Sequence, residues 1–479
     1  MNIADRQLAI WLSLLTFATF AYFHAGGGWN QNSQFDLTRA IVERHTFAID
    51  AYTKNTGDVA PHGGHVYTNK SPGLSIVGAV PYLILHAFES NPDDPLTLTF
   101  NHYICTILIV ALLGALVPAI LYRVGRDHGL SPAWSATVAI SVGLATQLLP
   151  YATFFNLAVP SGALMLVALT AERPALGGFA AGLATMMNYL CAPAVLLIGL
   201  TRPRKIAFFA GAAPPLIFLA IYQKICFGSF LRPSIADTDA RFRTAHAAFG
   251  IFQRPTLEAF YGITVSPYRG LFYSAPVLIA TIGGIILWFR SREERDTLAA
   301  IIGITVIFFL FNVSFNGWEG GFGIGARYLV PLIPLWGVAM LRLRGWLRPL
   351  FALLAVISFG FNFAAVAVDP QPSGTIPRPL TQYIFPLLVR GHFSPDVPIT
   401  PPWSAATFTG HTSVNRMTHD EAIVFQFHPP GSDASEWASF NLGEPFFGPG
   451  DARSLIPIVL LILVGLGAVA TKVRSMLRS

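Results

Sequence analysis

Long apolar runs alternate with short polar connections over most of the 479-residue chain. Several runs are shorter than the ~20 residues that a straight membrane helix needs, and Pro150, Pro160 and Pro193 interrupt the middle ones. We therefore expect an all-α polytopic membrane protein with about 11–13 transmembrane helices, some of them broken or re-entrant. The runs cover residues 8–23, 73–88, 102–122, 132–150, 155–171, 177–200, 206–223, 271–289, 298–315, 328–340, 347–368 and 456–470.

The composition agrees with this pattern. The chain is 53% hydrophobic and 12% charged, about half the charged fraction of soluble domains, and its 38 Phe and 9 Trp suit lipid-facing and interfacial positions. The net charge of +6 is explained by basic loops, and no basic stripe with interleaved aromatic residues indicates nucleic acid as a partner. The 3 Cys give no disulfide framework, and no CxxC or HExxH metal spacing is present.

Basic clusters between the apolar runs predict the orientation. The clusters at 202–205, 290–295, 342–348 and 472–478 are expected in the cytoplasm. Alternation then places the polar segments 26–72, 224–270, 316–327 and 369–453 on the opposite side. Arg123 and Arg126 would face outward in this scheme, so either a span near 89–160 is miscounted or that loop is an exception.

Three regions follow from this layout. Residues 1–368 are expected to form a transmembrane module whose first external loop is 26–72. Residues 369–453 are rich in Pro and aromatic residues, with strand-like stretches such as 422–427, and predict a small extracytoplasmic module. Residues 454–479 would supply the last transmembrane helix and a basic cytoplasmic tail.

The loop 26–72 is the most polar passage in the N-terminal half. A short amphipathic helix is predicted from Ser33 to Phe47, with one apolar side that would let it lie flat at the membrane surface. Asp36 lies on its polar side and has two interpretations. It forms a capping box with Ser33 and charge pairs with Arg39 and Glu43, or it serves chemistry.

The second half of the loop carries Asp58, two histidines and a lysine. Glycines between His62 and His65 predict a tight turn, and a lone H-x-x-H is only a weak metal signal. Lys70 stands just before the apolar run at 73–88, where a cation at a helix N-terminus is electrostatically unfavourable. A nearby anion would remove that penalty, whereas the alternative is a lysine whose ammonium reaches lipid headgroups.

The arrangement of an apolar span, a polar loop with a short helix, and then YTNKSPGL at 67–74 resembles the GT-C superfamily of polyprenyl-phosphate-sugar-dependent glycosyltransferases. The protein O-mannosyltransferases and lipid A aminoarabinose transferases, which are similar to glycosyltransferase family 39, are the nearest named groups. Their first external loop ends in a Lys-Pro-Pro-type turn, and Gly73 replaces the second Pro here. The segment 318–331, WEGGFGIGARYLVP, also resembles multi-span bacterial members.

The resemblance implies an inverting transfer of a monosaccharide from a polyprenyl-phosphate donor to an acceptor hydroxyl. That reaction needs a base for the acceptor proton and cations for the leaving phosphate. The family's early acidic residue overlays on Asn30 here, so Asp36 and Asp58 are the candidate bases. The expected phosphate-binding cations are Lys70, Arg269 and Arg327; each of these two arginines begins an apolar run and is equally consistent with an interfacial anchor.

Further residues are expected to contact the substrates, and these are Asn30, Arg39, His65, Tyr67, Trp318 and Glu319. No cofactor is required by the pattern, although a divalent metal held by Asp36 and Asp58 stays open. The expected partners are the lipid-linked donor, membrane lipids and a glycan, lipid or protein acceptor. The expected location is the bacterial inner membrane, with the site on the extracytoplasmic face.

Two other functions fit the same features. A transporter or flippase of lipid-linked sugars would also carry membrane charges and broken helices, but no inverted repeat is visible and the charges lie at span ends. An oligosaccharide ligase or polymerase shares the donor chemistry and differs in the size of the sugar.

Overall fold

The computed structural model describes residues 2–244, 247–248, 250–374, 376–391, 439–448 and 450–478. Helices dominate, and the strands are short. The α-helices of the described residues are α1 (Ile3–Ala21), α2 (Trp29–Glu43), α3 (Gly73–His86), α4 (Pro95–Cys105), α5 (Leu112–Asp127), α6 (Pro132–Leu144), α7 (Leu148–Tyr151), α8 (Ala158–Thr170), α9 (Pro174–Met187), α10 (Ala192–Thr201), α11 (Lys205–Phe227), α12 (Leu257–Thr264), α13 (Leu271–Ser274), α14 (Ala280–Ser291), α15 (Arg295–Ser314), α16 (Ile333–Met340), α17 (Leu347–Val368), α18 (Phe385–Arg390), α19 (Glu444–Phe447) and α20 (Ile456–Arg478).

Shorter elements connect these helices. The 3₁₀ turns are Asp50–Tyr52, Tyr189–Cys191, Ser234–Asp237, Ala240–Phe242, Pro276–Ile279, Arg327–Leu332 and Ala452–Leu455, and the π-helical turns are Thr106–Ala111 and Pro379–Ile384. Strand β1 (Phe23–His24) pairs antiparallel with β4 (Phe440–Asn441), and β2 (Val59–His62) pairs antiparallel with β3 (His65–Thr68).

The predicted all-α polytopic class is confirmed. In the described part of the chain, 5 helices are long and apolar enough to cross a membrane, and they are Pro95–Asp127, Lys205–Phe227, Arg295–Ser314, Leu347–Val368 and Ala452–Arg478. The first of these joins α4 and α5 through the π-helical turn. Shorter apolar helices of 10–17 residues pack among them and include the interrupted segments of the middle of the chain.

One end of the bundle gathers the basic loops. Arg126 pairs with Asp5, the first acid of α1, at 2.8 Å. Glu294 accepts from Arg342 at 2.5 Å and lies 3.0 Å from His128, which follows α5. Because α1 runs from this end toward the loop 26–72, Arg126 and its neighbours lie at the end opposite that loop, together with the other basic clusters.

The prediction that residues 73–88 form a span is wrong, and this explains the misplaced arginines. Helix α3 has 14 residues, which is about 21 Å and shorter than the hydrocarbon core of a membrane. Its start lies beside the loop 26–72, and after its end Asp93 binds Arg39 of α2 at 2.6 Å. The Tyr82 hydroxyl also donates to Glu43 of α2. Both ends of α3 therefore lie on the loop side, and the helix Pro95–Asp127 makes the next crossing.

After α17, the described residues return to the bundle in several segments. Ile376, Leu380 and Tyr383 form a small apolar cluster with α17. Strand β4 then adds to β1, directly after α1. Most of the predicted extracytoplasmic module, including the strand-like stretch 422–427, lies outside the described residues.

Candidate active site

Helix α2 is buried inside the protein rather than lying at the membrane surface. It begins at Trp29, four residues before the predicted start, so Ser33 and Asp36 are interior helix residues and the capping-box interpretation is wrong. The Ser33 hydroxyl instead donates to the carbonyl of Asp58 at 2.6 Å. The amphipathic pattern was misleading because the polar side of α2 faces the rest of the loop and not water. Gln31, Asn32, Gln34 and Asp36 are all buried.

The hairpin β2–β3 brings Asp58 and Lys70 together. Its two-residue turn is Gly63-Gly64, both with positive φ, which favours glycine in the tight turn. Asp58 precedes β2 and Lys70 follows Thr68 at the end of β3, so the pairing of the strands places them side by side. The Lys70 Nζ lies 2.9 Å from Asp58 Oδ2, and their side chains are 14% and 13% exposed.

Both side chains line a cavity of about 690 Å³, which Arg327 also lines. Asp58 and Lys70 flank the hairpin, and Arg327 lies in the segment before α16. Asp58 and Arg327 are more than 250 positions apart in the sequence. The polar groups of the described cavity wall include Asn30, Asn32, Asp58, Asn69, Lys70, Tyr151, Asn156, Asn188, Arg327, Asp369 and Gln371. Its apolar side includes Leu190, Pro193, Phe242, Ile251, Phe252, Phe311, Phe315, Phe322 and Pro331. The cavity therefore combines a charged region with an aromatic and aliphatic region.

The charges of this site act on one another. Burial lowers the pKa of the Lys70 ammonium, Asp58 opposes that shift, and the nearby positive charge of Arg327 adds to it, so the pKa of Lys70 lies below its usual value. The Arg327 guanidinium lies 5.0 Å from the centre of the Tyr328 ring. Asp58, Lys70 and Arg327 together carry a net positive charge, and Asp369, the other carboxylate of the cavity wall, accepts from the Tyr383 hydroxyl at 3.1 Å. The region around the two cations therefore favours an anionic ligand.

Arg269 is close to the cavity but does not line it. It is 1% exposed, and its guanidinium donates to the carbonyl oxygens of Gly321 and Gly323. Gly320 and Gly321 line the cavity, and a Cβ on Gly320 would lie 2.9 Å from Arg327 Cγ. Arg269 thus anchors the glycine-rich segment against which Arg327 packs. Its expected contact with a phosphate stays a prediction.

The two predicted bases occupy different environments. Asp58 lines the cavity, whereas Asp36 is 0% exposed, is not among the lining residues, and accepts from Asn55 Nδ2 at 3.1 Å. Asn30, the residue that overlays on the family's acid, does line the cavity and accepts from Asn156 Nδ2 at 3.2 Å.

The other predicted contacts are not among the residues that line the cavity. Arg39 binds Glu43 and Asp93, so it holds α2 against the segment after α3. His65 is exposed and lies 2.8 Å from Asp50. The remaining three residues are Tyr67, which packs on Phe227, and Trp318 and Glu319, which are buried between the cavity-lining residues Gly317 and Gly320.

Sequence reasoning missed several polar residues of the cavity wall, among them Tyr151, Asn156 and Asp369. Tyr151 and Asn156 lie in the interruption between Pro150 and Pro160, and Asp369 directly follows α17. The breaks themselves were predicted, and residues around Pro150–Pro160 and Pro193 line the cavity. The polar side chains within those breaks were the sequence feature that could have identified these cavity residues.

Among the described residues, His, Cys, Asp and Glu form no group of three or more that could hold a metal ion. Asp58 has Lys70 at hydrogen-bond distance, and Asp36 has the Asn55 amide. Both predicted metal ligands thus have partners within the protein.

The fold and the cavity define a class, a multi-pass helical membrane protein with an ionic site against an aromatic groove. No protein-family model and no curated protein matches the chain. Two solved structures are similar to it, ArnT from Cupriavidus metallidurans in the apo state and ArnT from Cupriavidus metallidurans bound to undecaprenyl phosphate. They share 15% and 17% identity, with TM-scores of 0.45 and 0.44, over 81% and 80% of this chain and 70% of each ArnT chain. Both TM-scores lie below 0.5, so the assignment of function rests on the chain's own residues.

Proposed function

We propose that this protein is a GT-C-type glycosyltransferase that moves a monosaccharide from a polyprenyl-phosphate donor to an acceptor hydroxyl. One observation carries the proposal. A carboxylate and two cations from distant parts of the chain, Asp58, Lys70 and Arg327, line a single cavity that also has a large aromatic wall. An amphiphile with an anionic headgroup and a long apolar tail has the matching chemistry.

The leaving phosphate is assigned to Lys70 and Arg327. Arg presents a planar fork of donors that suits phosphate, and Lys adds a compact charge with three donors. Lys70 can therefore keep its bond to Asp58 and still donate to a phosphate oxygen. A phosphate between the two cations would also relieve their mutual repulsion, which contributes to the lowered pKa of Lys70.

The acceptor proton is assigned to Asp58. The acceptor oxygen bonds to the anomeric carbon while the bond from that carbon to the phosphate oxygen breaks, and the electron pair leaves with the phosphate. The proton of the acceptor passes to the Asp58 carboxylate, whose Oδ2 faces Lys70. The other oxygen, Oδ1, is assigned to the acceptor, on the side of the sugar opposite the phosphate. Attack opposite the leaving group inverts the anomeric configuration.

The proposal also covers Arg269, the acceptor and the side of the membrane on which the site lies. Arg269 supports the glycine-rich segment behind Arg327. The acceptor is a glycan, lipid or protein hydroxyl. The bundle end that carries the site lies opposite the basic loops, which favours the extracytoplasmic face of the inner membrane. Residues 369–453 would form the small module on that side.

The proposal is tested with full-length protein in liposomes that contain a polyprenyl-phosphate monosaccharide with a labelled sugar. Sugar should leave the lipid for a hydroxyl acceptor or water, and Lys70→Met should abolish most of this release. His65→Ala is the matched control, because His65 is in the same loop but contacts Asp50 outside the cavity. If labelled lipid-sugar crosses the bilayer intact without release, the protein is a transporter and the proposal fails.

A further inference from the structure

Tyr151 has a buried hydroxyl that the scheme above does not use. It is the last residue of α7, it is 1% exposed, and it lines the cavity. Within the described residues its hydroxyl has no hydrogen-bond partner. A buried hydroxyl without a partner is unfavourable, so such a group in a cavity wall is a donor that a bound ligand can satisfy.

The surroundings of Tyr151 indicate which ligand atom it would meet. The positive charges of Arg327 and Arg269 both act on its phenol, so the space around the hydroxyl favours a negatively charged oxygen. Arg327 is itself a cavity residue, and Lys70 also feels its charge. The hydroxyl therefore lies in the same positive region as the two cations assigned to the phosphate.

The glycine-rich segment leaves room for this hydroxyl. Gly323 has φ +146°, and a Cβ built on it would lie 2.5 Å from the Tyr151 hydroxyl oxygen. Its carbonyl accepts from the buried Arg269 guanidinium, which fixes the position of the segment. The segment anchored by Arg269 thus contacts both Arg327 and Tyr151, and it sets their positions relative to each other.

From this arrangement we infer that the Tyr151 hydroxyl is a third donor to the leaving phosphate, beside Arg327 and Lys70. The inference rests on the proposed function. A neutral phenol donates a hydrogen bond to the phosphate without adding a third positive charge to a site where two cations already repel each other. Tyr151 is therefore a substrate-binding residue that contributes to catalysis as negative charge grows on the leaving oxygen.

The experiment measures binding of polyprenyl phosphate, which carries no sugar, to the full chain with Tyr151→Phe. The affinity should fall by about tenfold to a hundredfold, as expected when a hydrogen bond to a charged group is lost. Binding of the uncharged polyprenol should not change. Tyr222→Phe is the control, because Tyr222 is also a buried tyrosine at 1% exposure but does not line the cavity.

Other outcomes overturn the inference. If Tyr151→Phe binds polyprenyl phosphate as well as the unmodified protein does, while Arg327→Ala binds it less well, the proposed function stands and Tyr151 has no role at the phosphate. If only the sugar-bearing donor binds less well, the hydroxyl contacts the sugar instead. If Tyr151→Phe and Tyr222→Phe lower affinity and thermal stability equally, the effect is structural. If the proposed function itself is wrong, neither the unmodified protein nor Arg327→Ala shows specific phosphate binding, and this result differs from all the others.

Discussion

The sharpest test of the mechanism compares Asp58→Asn with Asp36→Asn. The two carboxylates lie in the same loop, and both were candidates for the base, but only Asp58 lines the cavity. A positioned general base contributes about 10²–10⁴-fold to the rate, which is about 2.7–5.5 kcal/mol of activation free energy. Asp58→Asn should lower kcat by that factor. Asp36→Asn keeps the size of the side chain, and kcat should stay within a few-fold of the unmodified protein.

The ion pair gives this prediction a second signature. Asp58 and Lys70 are only 13% and 14% exposed, so solvent screens their interaction weakly. Removing one partner of such a pair leaves a charge unsatisfied and costs about 3–5 kcal/mol of folding stability when the pair is fully buried, and less here. A bound phosphate would satisfy Lys70 in place of Asp58. Asp58→Asn should therefore bind the donor at least as tightly as the unmodified protein, and the donor should raise its unfolding temperature more.

The assay is single-turnover sugar release at saturating donor, with donor affinity measured separately. The expected result is a large loss of kcat without a loss of donor affinity for Asp58→Asn. Retained turnover in Asp58→Asn would refute the assignment of the base. A loss of kcat in Asp36→Asn of the same size would show that position in the cavity wall does not decide which carboxylate acts.

Three further predictions concern the phosphate site and the packing around it. The pKa of Lys70 is lowered and an anion favours its protonated form, so affinity for a phosphodiester analogue should fall as pH rises through that lowered pKa. In Lys70→Met the affinity should be about tenfold to a hundredfold weaker than that of the protonated Lys70 protein and should not show this fall, and parallel pH profiles for the two proteins would contradict the prediction. Arg269→Lys loses the planar guanidinium that donates to two carbonyl oxygens, so donor affinity in the same binding assay should fall about tenfold although residue 269 does not line the cavity. Unchanged donor affinity would show that Arg269 does not position the site. Gly73→Ala should lower the free energy of unfolding by about 1–3 kcal/mol, because its Cβ would lie 2.5 Å from the Met186 carbonyl carbon. The control is Gly360→Ala, whose Cβ meets nothing within 4 Å, and equal unfolding temperatures of the two variants would contradict the packing.

The Gly73 contact also explains why glycine follows Pro72 at the start of α3. The start of α3 packs against the backbone at the end of α9, so no side chain fits at residue 73. The sequence shows only that Gly follows Pro72 here. The reason is a contact between segments more than 100 positions apart.

Helix α2 and helix α3 show where periodicity was insufficient. The amphipathic pattern of α2 predicted a helix correctly, but the same pattern fits a surface helix and a helix whose polar side packs on a polar loop. The apolar run of α3 looked like a span, and only the contacts of Tyr82 with Glu43 and of Asp93, after the helix, with Arg39 show that both ends lie on one side. The hydrophobicity of a segment indicates that it avoids water, but it does not indicate on which side of the membrane the segment ends.

The sequence by itself determined that this is a helical membrane protein, that its scarce charges lie at the ends of apolar runs, and that the loop 26–72 carries ionisable groups. These properties follow from local composition and from the cost of placing charge in lipid. The tertiary structure decided which charges meet. It placed Asp58, Lys70 and Arg327 at one cavity, kept Asp36 and Arg269 off its wall, and added Tyr151. The hairpin that joins Asp58 to Lys70 follows from its local Gly63-Gly64 turn. The meeting of this pair with Arg327 and Tyr151 depends on the anchored glycine-rich segment and on helix packing, which are contacts between distant residues that no local pattern encodes.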